Sequence, residues 1–194
     1  MMTDKDFWES RWQQAQTGWD LKMVSPAIKL FIDALTNKQQ QILIPGCGNA
    51  HEAEYLLQQG FSNVTVIDIA PTLTQKLQLK LKQYVDAGFL TIICGDFFKH
   101  IGQYDLIIEQ TFFCAINPKL RPDYAKHMQQ LLAPEGKLTG LLFNTNFDGG
   151  PPFGGNTEEY LNYFKPYFKN ISMTPCLNSI KPREGSEVWM EVGN

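Results

Sequence analysis

Five short apolar runs, separated by helix-like stretches, constrain the fold of this chain most strongly. The runs are ILIP (42–45), VTVID (64–68), LTIIC (90–94), DLIIE (105–109) and KLTGLLFN (137–144). The first four are continuous rather than alternating, which is typical of strands buried on both faces. Helical patterns lie between them, at 50–59, 71–87 and 122–132, and the APEGK turn (133–137) precedes the fifth run. This alternation predicts an α/β fold with a parallel sheet and right-handed crossovers.

The two ends of the chain depart from this alternation. Helices are predicted for residues 4–16, with Thr3 as the N-cap, and after the Ser-Pro pair that opens SPAIKLFIDALT. Near the C-terminus, the loop DGGPPFGGN (148–156) precedes one helix, and two strand-like runs follow it near 169–174 and 187–192. The charged, glycine-containing connection KPREGSE between those two runs suits a hairpin, so the sheet is predicted to end in an antiparallel edge.

Composition and charge exclude several classes of function. The chain has 194 residues, enough for one domain with a sizeable core, and its formal net charge is −3. That charge leaves no basic face for nucleic acid. The first residues lack the apolar core of a signal peptide, and no run reaches the ~18 apolar residues of a membrane helix. The four cysteines lie far apart without metal-ligand spacing. We expect no disulfide framework, no metal, no membrane partner and a cytoplasmic location.

A glycine turn follows the first predicted strand and points to a nucleoside. Gly46 and Gly48 come directly after that strand, where missing Cβ atoms let the backbone approach a ligand closely. Asp68 closes the second strand, and a carboxylate there can accept both hydroxyl hydrogens of a ribose. In an open α/β sheet, ligands bind beyond the carboxyl ends of the strands. A plain turn remains the alternative for the two glycines alone.

The residues after the turn favour S-adenosylmethionine over NAD. A dinucleotide fingerprint has a third glycine where this chain has His51, and Glu52 and Glu54 in the first helical turn would oppose a pyrophosphate. Such acids are compatible with a donor that is cationic at sulfur and carries an ammonium group. Asp96 and Phe97 follow the third strand, where they suit the adenine amine and ring. His51 is interpreted as a solvated helix residue rather than a base.

Several motifs together resemble a known family. They are the tryptophans Trp8, Trp12 and Trp19 followed by Asp20, and the segments LIPGCGNAHE, VIDIAP, GDFF, YDLIIEQTFFCAINPKLRPDYAKHM, LLAPEGKL and GGPPF. The chain is similar over residues 7–155 to the thiopurine S-methyltransferase family, and within it to the plant-type halide/thiol methyltransferases. The resemblance implies a Rossmann-like class I methyltransferase fold, with a mostly parallel seven-stranded sheet and an antiparallel C-terminal edge. Residues 1–194 would form one domain, with 1–36 as a helical lid and 40–194 as the α/β core.

The resemblance also implies which residues bind the donor and the acceptor. The cofactor contacts would be Trp8, Trp12, Trp19, Gly46, Cys47, Gly48, Asp68, Ile69, Asp96, Phe97 and Gln110. The candidates for the acceptor pocket are Trp12, Trp19, Phe112, Phe113, Arg121 and Phe153. The plant enzymes carry a tyrosine before FFCAI where this chain has Gln110 and Thr111, a difference that bears on the acceptor.

The implied reaction is transfer of the methyl group of S-adenosylmethionine to a small thiol or halide by in-line displacement, giving S-adenosylhomocysteine. Alignment carries much of such catalysis, and an anionic acceptor needs no general base, so no catalytic residue is assigned. The alternatives are a thiopurine or metalloid acceptor, a non-catalytic S-adenosylmethionine-binding module, and an NAD-dependent enzyme. The protein is expected to be a monomer or a weak homo-oligomer acting on a small molecule.

Individual site residues have simpler structural alternatives. The tryptophans could fix the N-terminal helix to the sheet, and Phe112 and Phe113 could belong to the core. Arg121 could pair with a surface acid, and Cys114 is interpreted as a buried filler rather than a nucleophile. The GGPPF loop is interpreted as an acceptor-side lid, with a simple connection as the alternative.

Overall fold

The predicted runs form the strands of one mixed sheet. The computed structural model describes residues 4–193, and its seven strands follow the order β3-β2-β1-β4-β5-β7-β6. The strands are β1 (Ile42–Pro45), β2 (Val64–Asp68), β3 (Leu90–Cys94), β4 (Tyr104–Gln110), β5 (Leu132–Phe143), β6 (Asn170–Pro175) and β7 (Glu187–Gly193). The helices are α1 (Lys5–Gln13), α2 (Pro26–Ala34), α3 (His51–Gln58), α4 (Pro71–Lys80), α5 (Lys82–Asp86), α6 (Arg121–Leu131) and α7 (Thr157–Phe164). The predicted α/β fold with an antiparallel C-terminal edge is confirmed.

The chain divides into an N-terminal unit, Met1–His100, and a C-terminal unit, Ile101–Asn194. In the N-terminal unit, β1 pairs in parallel with β2, and β2 pairs in parallel with β3. Strand β1 is buried along its whole length, whereas β3 has exposed positions because it lies at the sheet edge. The prediction that β3 is covered on both faces was therefore wrong. In the parallel register Asp68 lies opposite Cys94, and these residues end β2 and β3. Asp96 therefore lies just beyond the carboxyl ends of the strands, on the same side of the sheet as Asp68.

In the C-terminal unit, β4 pairs in parallel with β5, and β5 and β6 pair in antiparallel with β7. The APEGK segment does not precede β5, as the sequence predicts, but lies inside it. The register shifts there, from Tyr104 opposite Leu132 to Leu106 opposite Lys137. Gly140 is required in this pair, because a Cβ added to it would lie 1.9 Å from the carbonyl oxygen of Glu109.

Helix ends differ from the predictions by a few residues. Asp4 caps α1 by accepting a hydrogen bond from the N–H of Phe7 at 3.2 Å, and the predicted cap Thr3 lies outside the described residues. The helix predicted for 71–87 divides at Leu81, whose backbone leaves the helical region while its side chain stays buried. Within residues 4–193, no helix has the length and apolar character needed to cross a membrane.

Candidate functional site

The glycine turn after β1 has an unusual backbone. Gly46, Gly48 and Ala50 have φ angles of 56°, 51° and 56°, so left-handed residues alternate along the turn that leads into α3. The N–H of Cys47 donates to the carbonyl oxygen of Ile67 at 3.3 Å, which joins the turn to β2. Glycine adopts this conformation without steric cost. The glycine turn predicted from the sequence is therefore a left-handed turn, and it lies beside the end of the neighbouring strand.

Asp68 fixes that turn with its carboxylate. Oδ2 accepts a hydrogen bond from the N–H of Gly48 at 3.2 Å, and Oδ1 accepts one from the N–H of Ala70 at 3.1 Å. Burial raises the pKa of Asp68 to about 6, although these backbone hydrogen bonds favour the ionised form. Each carboxylate oxygen has two acceptor positions. The carboxylate can therefore hold the turn and still accept hydrogen bonds from two ribose hydroxyls, and half-buried Ile69 follows it directly.

Asp96 and Phe97 lie after β3. Oδ1 of Asp96 accepts a hydrogen bond from the N–H of Phe98 at 3.0 Å and caps a short 3-10 helix, Phe97–Lys99. Phe97 is buried, and its ring meets that of Phe98 edge to face at 5.3 Å between centroids. The second carboxylate oxygen of Asp96 lies 3.8 Å from Lys99 Nζ, a side chain that is largely exposed. The Asp96 carboxylate thus keeps acceptor capacity for an adenine amine.

The three N-terminal tryptophans form one cluster, here named the indole cluster: Trp8, Trp12 and Trp19. Trp19 meets Trp8 at 5.5 Å and Trp12 at 5.8 Å between ring centroids, both edge to face. A Cβ placed on Gly48 would lie 3.9 Å from Cζ2 of Trp12. All three side chains are half-buried. The indole cluster therefore packs against the glycine turn through Trp12.

Helix α1 is tied to the start of α4 by a pair of hydrogen bonds. The carboxylate of Glu9 accepts the N–H of Thr72 at 3.0 Å and also the Thr72 hydroxyl. Glu9 was not predicted as a site residue, because an exposed-looking acid in an amphipathic helix gives no signal of a partner 63 residues away. This contact holds the tryptophan-bearing helix beside the residues that follow Asp68.

The interpretation of His51 as a solvated residue was wrong. Its Nε2 lies 2.7 Å from Oδ1 of Asp20, and its side chain is 21% exposed. Glu52 lies in the first turn of α3, as predicted, but it is buried. The N–H of Ser25 donates to its carboxylate at 3.4 Å. Burial raises the pKa of Glu52. Glu54 forms an ion pair with Lys80. Both acids therefore have partners within the N-terminal unit.

Glu109 is a buried acid at the end of β4 that sequence reasoning missed. Oε1 accepts hydrogen bonds from the N–H groups of Phe112 and Phe113, at 2.7 and 2.9 Å, and Oε2 accepts the Tyr124 hydroxyl at 2.5 Å. Burial raises the pKa of Glu109 to about 7 despite these three donors. Glu109 therefore holds the turn that carries Phe112 and Phe113, and an acid ending an apolar run was the only sequence signal of this role.

Gln110 and Thr111 form the start of that turn. The side-chain oxygen of Gln110 is buried without a hydrogen-bond partner among residues 4–193. Thr111 has a φ of 58°, an uncommon conformation for a β-branched residue that costs about 1–3 kcal/mol. An unsatisfied polar atom beside a strained residue is typical of ligand-binding positions.

The two phenylalanines of the turn differ in their surroundings. Phe113 is 1% exposed, and its ring lies 5.0 Å from that of Tyr124 and 5.2 Å from that of Tyr160. This packing fits the core alternative for Phe113. Phe112 is only half-buried and lies 6.0 Å from Tyr124. Cys114 is buried and donates to the carbonyl oxygen of Thr111, and burial raises the pKa of its thiol to about 12, as expected for a filler residue.

Arg121 holds the GGPPF loop. Its guanidinium is 1% exposed, and Nη2 donates to the carbonyl oxygens of Phe153 at 3.1 Å and Gly154 at 2.9 Å. Nη1 donates to Glu159 at 3.1 Å, so Arg121 does pair with an acid, but from a buried position. The N–H of Phe153 also donates to the carbonyl oxygen of Cys114 at 2.7 Å. The loop is therefore fixed from both sides, and half-buried Phe153 lines an open cleft of about 280 Å³.

Comparisons with known proteins agree with this geometry. A family model described as thiopurine S-methyltransferase (TPMT) matches residues 3–186. The chain is 31% identical to a probable thiol methyltransferase 2 of Arabidopsis thaliana, over 93% of this chain and 81% of that protein. It is 32% identical to thiocyanate methyltransferase 1 of Brassica oleracea, with the same coverage of both chains. A thiopurine S-methyltransferase of Vibrio cholerae is 28% identical over 97% of this chain and 98% of its own length.

Solved structures share the fold at low sequence identity. A TehB-like SAM-dependent methyltransferase from Corynebacterium glutamicum has a TM-score of 0.69 and 16% identity, covering 98% of this chain and 97% of that one. The 1,6-didemethyltoxoflavin-N1-methyltransferase of Burkholderia thailandensis, solved with S-adenosylhomocysteine, has a TM-score of 0.70 and 15% identity, covering 97% of this chain and 85% of its own. The family match, the relatives and the fold lead to one conclusion: the chain belongs to the thiopurine S-methyltransferase family of SAM-dependent methyltransferases.

Proposed function

We propose that this enzyme transfers a methyl group from S-adenosylmethionine to a small thiol or a halide. The observation that carries the donor assignment is the left-handed turn of Gly46 and Gly48, fixed by Asp68 and packed against Trp12. The acceptor class is supported by the thiol and thiocyanate methyltransferases, which are 31% and 32% identical to this chain.

The donor assignment gives a role to each predicted donor contact of the N-terminal unit. Asp68 accepts the ribose hydroxyls at the acceptor positions that Gly48 and Ala70 leave free. Asp96 accepts the adenine amine, with Phe97 beside the ring, and Cys47 and Ile69 contribute the backbone that flanks the nucleoside. The indole cluster covers the reactive end, where an aromatic face attracts a sulfonium by about 0.5–2 kcal/mol. Residues 1–36, which carry these indoles, act as the lid of a single methyltransferase domain.

The acceptor assignment uses the turn after β4 and the GGPPF loop. The donor supplies a methyl group bound to a positively charged sulfur. The acceptor lone pair forms a bond to this methyl carbon as the sulfur–carbon bond breaks, and the electron pair of that bond stays on sulfur, giving neutral S-adenosylhomocysteine. Phe112 and Phe153, both half-buried, shield the acceptor from water, while Arg121 holds Phe153 in place through its carbonyl oxygen. Gln110, a predicted donor contact, can accept a hydrogen bond from S-adenosylmethionine through its buried side-chain oxygen, which has no partner among residues 4–193. A halide or hydrosulfide arrives as an anion, so the chain needs no general base for these acceptors.

A thiopurine is the second candidate acceptor, favoured by the Vibrio cholerae relative that matches this chain over 98% of its own length. The experiment uses isotopically labelled S-adenosylmethionine with iodide, hydrosulfide, thiocyanate, small organic thiols and a thiopurine. We expect methylated hydrosulfide, small thiol or halide. A product from the thiopurine alone would assign the second acceptor, and tight donor binding without any product would indicate a non-catalytic binding module.

A further inference from the structure

Asp20 lies at the centre of a polar contact that the proposed reaction does not use. Its Oδ2 accepts a hydrogen bond from Asn49 Nδ2 at 2.7 Å, and its Oδ1 lies 2.7 Å from His51 Nε2. The N–H of Lys22 donates to Oδ1 at 3.0 Å. Burial acts to raise the pKa of Asp20, but these hydrogen bonds outweigh it and hold the pKa below its usual value. An ionised carboxylate only accepts hydrogen bonds, so His51 Nε2 is the donor.

The two partners of Asp20 lie at the C-terminal end of the glycine turn. Asn49 follows Gly48 directly, and His51 is the first residue of α3. The side chains of Asp20 and His51 are 14% and 21% exposed, so water screens their interaction much less than it screens a surface ion pair. Asp20 therefore joins the segment after α1 to the backbone that is to hold the nucleoside.

The residue before Asp20 belongs to the indole cluster. Trp19 contacts both Trp8 and Trp12, and Trp12 packs over Gly48. Helix α1 already has its own attachment through Glu9 and Thr72. Asp20 supplies a second attachment, directly after Trp19 in the chain, and it restrains Trp19 relative to the turn.

We propose that Asp20, together with His51, is a positioning residue that latches the indole cluster over the bound donor. The proposal rests on the proposed function, because it takes the glycine turn as the donor site. Breaking the latch leaves the donor-binding groups of the turn in place but lets Trp19 move away from them. The donor and its product then dissociate faster, while the aligned complex reacts at its normal rate.

The test replaces Asp20 with the isosteric Asn and His51 with Ala or Gln. Asp20→Asn keeps one acceptor oxygen and puts an amide N–H₂ in place of the other, so Asn49 and His51 can no longer both donate to residue 20. The Gln amide in His51→Gln, in contrast, can still donate to Asp20. The matched control is Asp33→Asn, which removes a carboxylate that pairs with Lys29 and Tyr55 on the surface of the same unit. The measurements are calorimetric binding of S-adenosylhomocysteine, its dissociation rate followed by tryptophan fluorescence, and kcat and KM for the donor.

We expect Asp20→Asn to raise Kd, the dissociation rate and the donor KM about tenfold, with kcat within about twofold of the wild type. His51→Ala should show the same pattern, His51→Gln should restore most of the affinity, and Asp33→Asn should match the wild type. If Asp20→Asn lowers Tm strongly, the comparison of His51→Ala with His51→Gln tests the proposal instead. An unchanged Kd in Asp20→Asn, or equal losses in His51→Ala and His51→Gln, would overturn the latch. A wild-type protein that does not bind S-adenosylhomocysteine would instead overturn the proposed function.

Discussion

The backbone N–H of Gly48 donates to Oδ2 of Asp68 at 3.2 Å, which links the turn after β1 to the end of β2. The second oxygen of Asp68 accepts the N–H of Ala70, which precedes α4. One carboxylate thus sets the position of the turn and of the segment after the neighbouring strand. The carboxylate of Asp68 still has acceptor positions that these two N–H groups do not use, and we assign those positions to the ribose hydroxyls.

Replacing Asp68 with Ala should weaken the binding of S-adenosylhomocysteine by about 1–3 kcal/mol, because the ribose hydroxyls lose their partner. This corresponds to a roughly 5- to 150-fold higher Kd. Isothermal titration calorimetry measures the change. The control is Asp86→Ala, which removes an exposed carboxylate paired with Lys82. A Kd that stays at the wild-type value in Asp68→Ala would place the ribose elsewhere.

Donor affinity should fall as the pH is lowered through about 6. Burial raises the pKa of Asp68 in the free protein to about 6, and ribose hydroxyls donate to the ionised carboxylate. Binding therefore favours ionisation, and below pH 6 it must first displace a proton, at a cost of up to about tenfold in Kd per pH unit. Calorimetry at pH 5, 6, 7 and 8 measures this. Asp68→Asn should bind weakly with no step near pH 6; a persisting step would assign it to another group.

Glu109 should set both the stability of the turn after β4 and its pH dependence. Glu109→Leu leaves the N–H groups of Phe112 and Phe113 without an acceptor, at about 1–3 kcal/mol for each buried donor. Glu109→Gln keeps one acceptor oxygen and should lose much less. Chemical denaturation of both variants at pH 7 measures the two free energies of unfolding, and equal losses would contradict the hydrogen-bond explanation.

The sign of the Glu109 effect with pH follows from its raised pKa. The folded state has a pKa of about 7 against a usual value of 4.5, so the folded protein takes up a proton between those values before the unfolded chain does. This group therefore stabilises the fold increasingly as the pH falls from about 7 to 4.5. The wild type should gain stability relative to Glu109→Gln over that window. A difference that is constant with pH would contradict a raised pKa.

Gly140→Ala should be strongly destabilising. The added Cβ would lie 1.9 Å from the carbonyl oxygen of Glu109, and the φ of 152° is unfavourable for other residues. Moving β5 away from β4 should cost about 3 kcal/mol or more. Gly18→Ala is the control, since a Cβ there meets nothing within 4 Å. Thermal unfolding compares them; similar Tm values for the two variants would mean that the strands separate at no cost.

Strand positions followed closely from the sequence where burial alone decides them. The bounds of β1, β2 and β3 match the apolar runs. Strand β1 is buried along its whole length, as an uninterrupted hydrophobic segment predicts, whereas the apolar run of β3 located the strand but not its partial exposure. The start of β5 was missed because its register shift is set by pairing with Tyr104, which no local pattern records. The glycine turn and Asp68 were predictable because parallel strands end at one edge of the sheet.

The contacts that fix the site were harder to predict. Asp20 and His51 are 31 residues apart, and no local sequence pattern indicates that their side chains pair. Glu109 was read as the last residue of a strand, since an acid there is common where a strand meets solvent. Arg121 was predicted near the acceptor, but its two carbonyl partners lie 32 and 33 residues further along the chain. Such polar contacts depend on tertiary structure, whereas hydrophobic periodicity in the sequence indicates only the local helices and strands.

A crystal structure of the protein with S-adenosylhomocysteine tests the assignment of the glycine turn and Asp68 to the donor. We expect both ribose hydroxyls within about 2.6–3.2 Å of the Asp68 carboxylate oxygens, with the nucleoside against Gly46 and Gly48 and the indole cluster over the sulfur. A nucleoside bound away from Asp68, or a cluster of Trp8, Trp12 and Trp19 that leaves the sulfur uncovered, would contradict it.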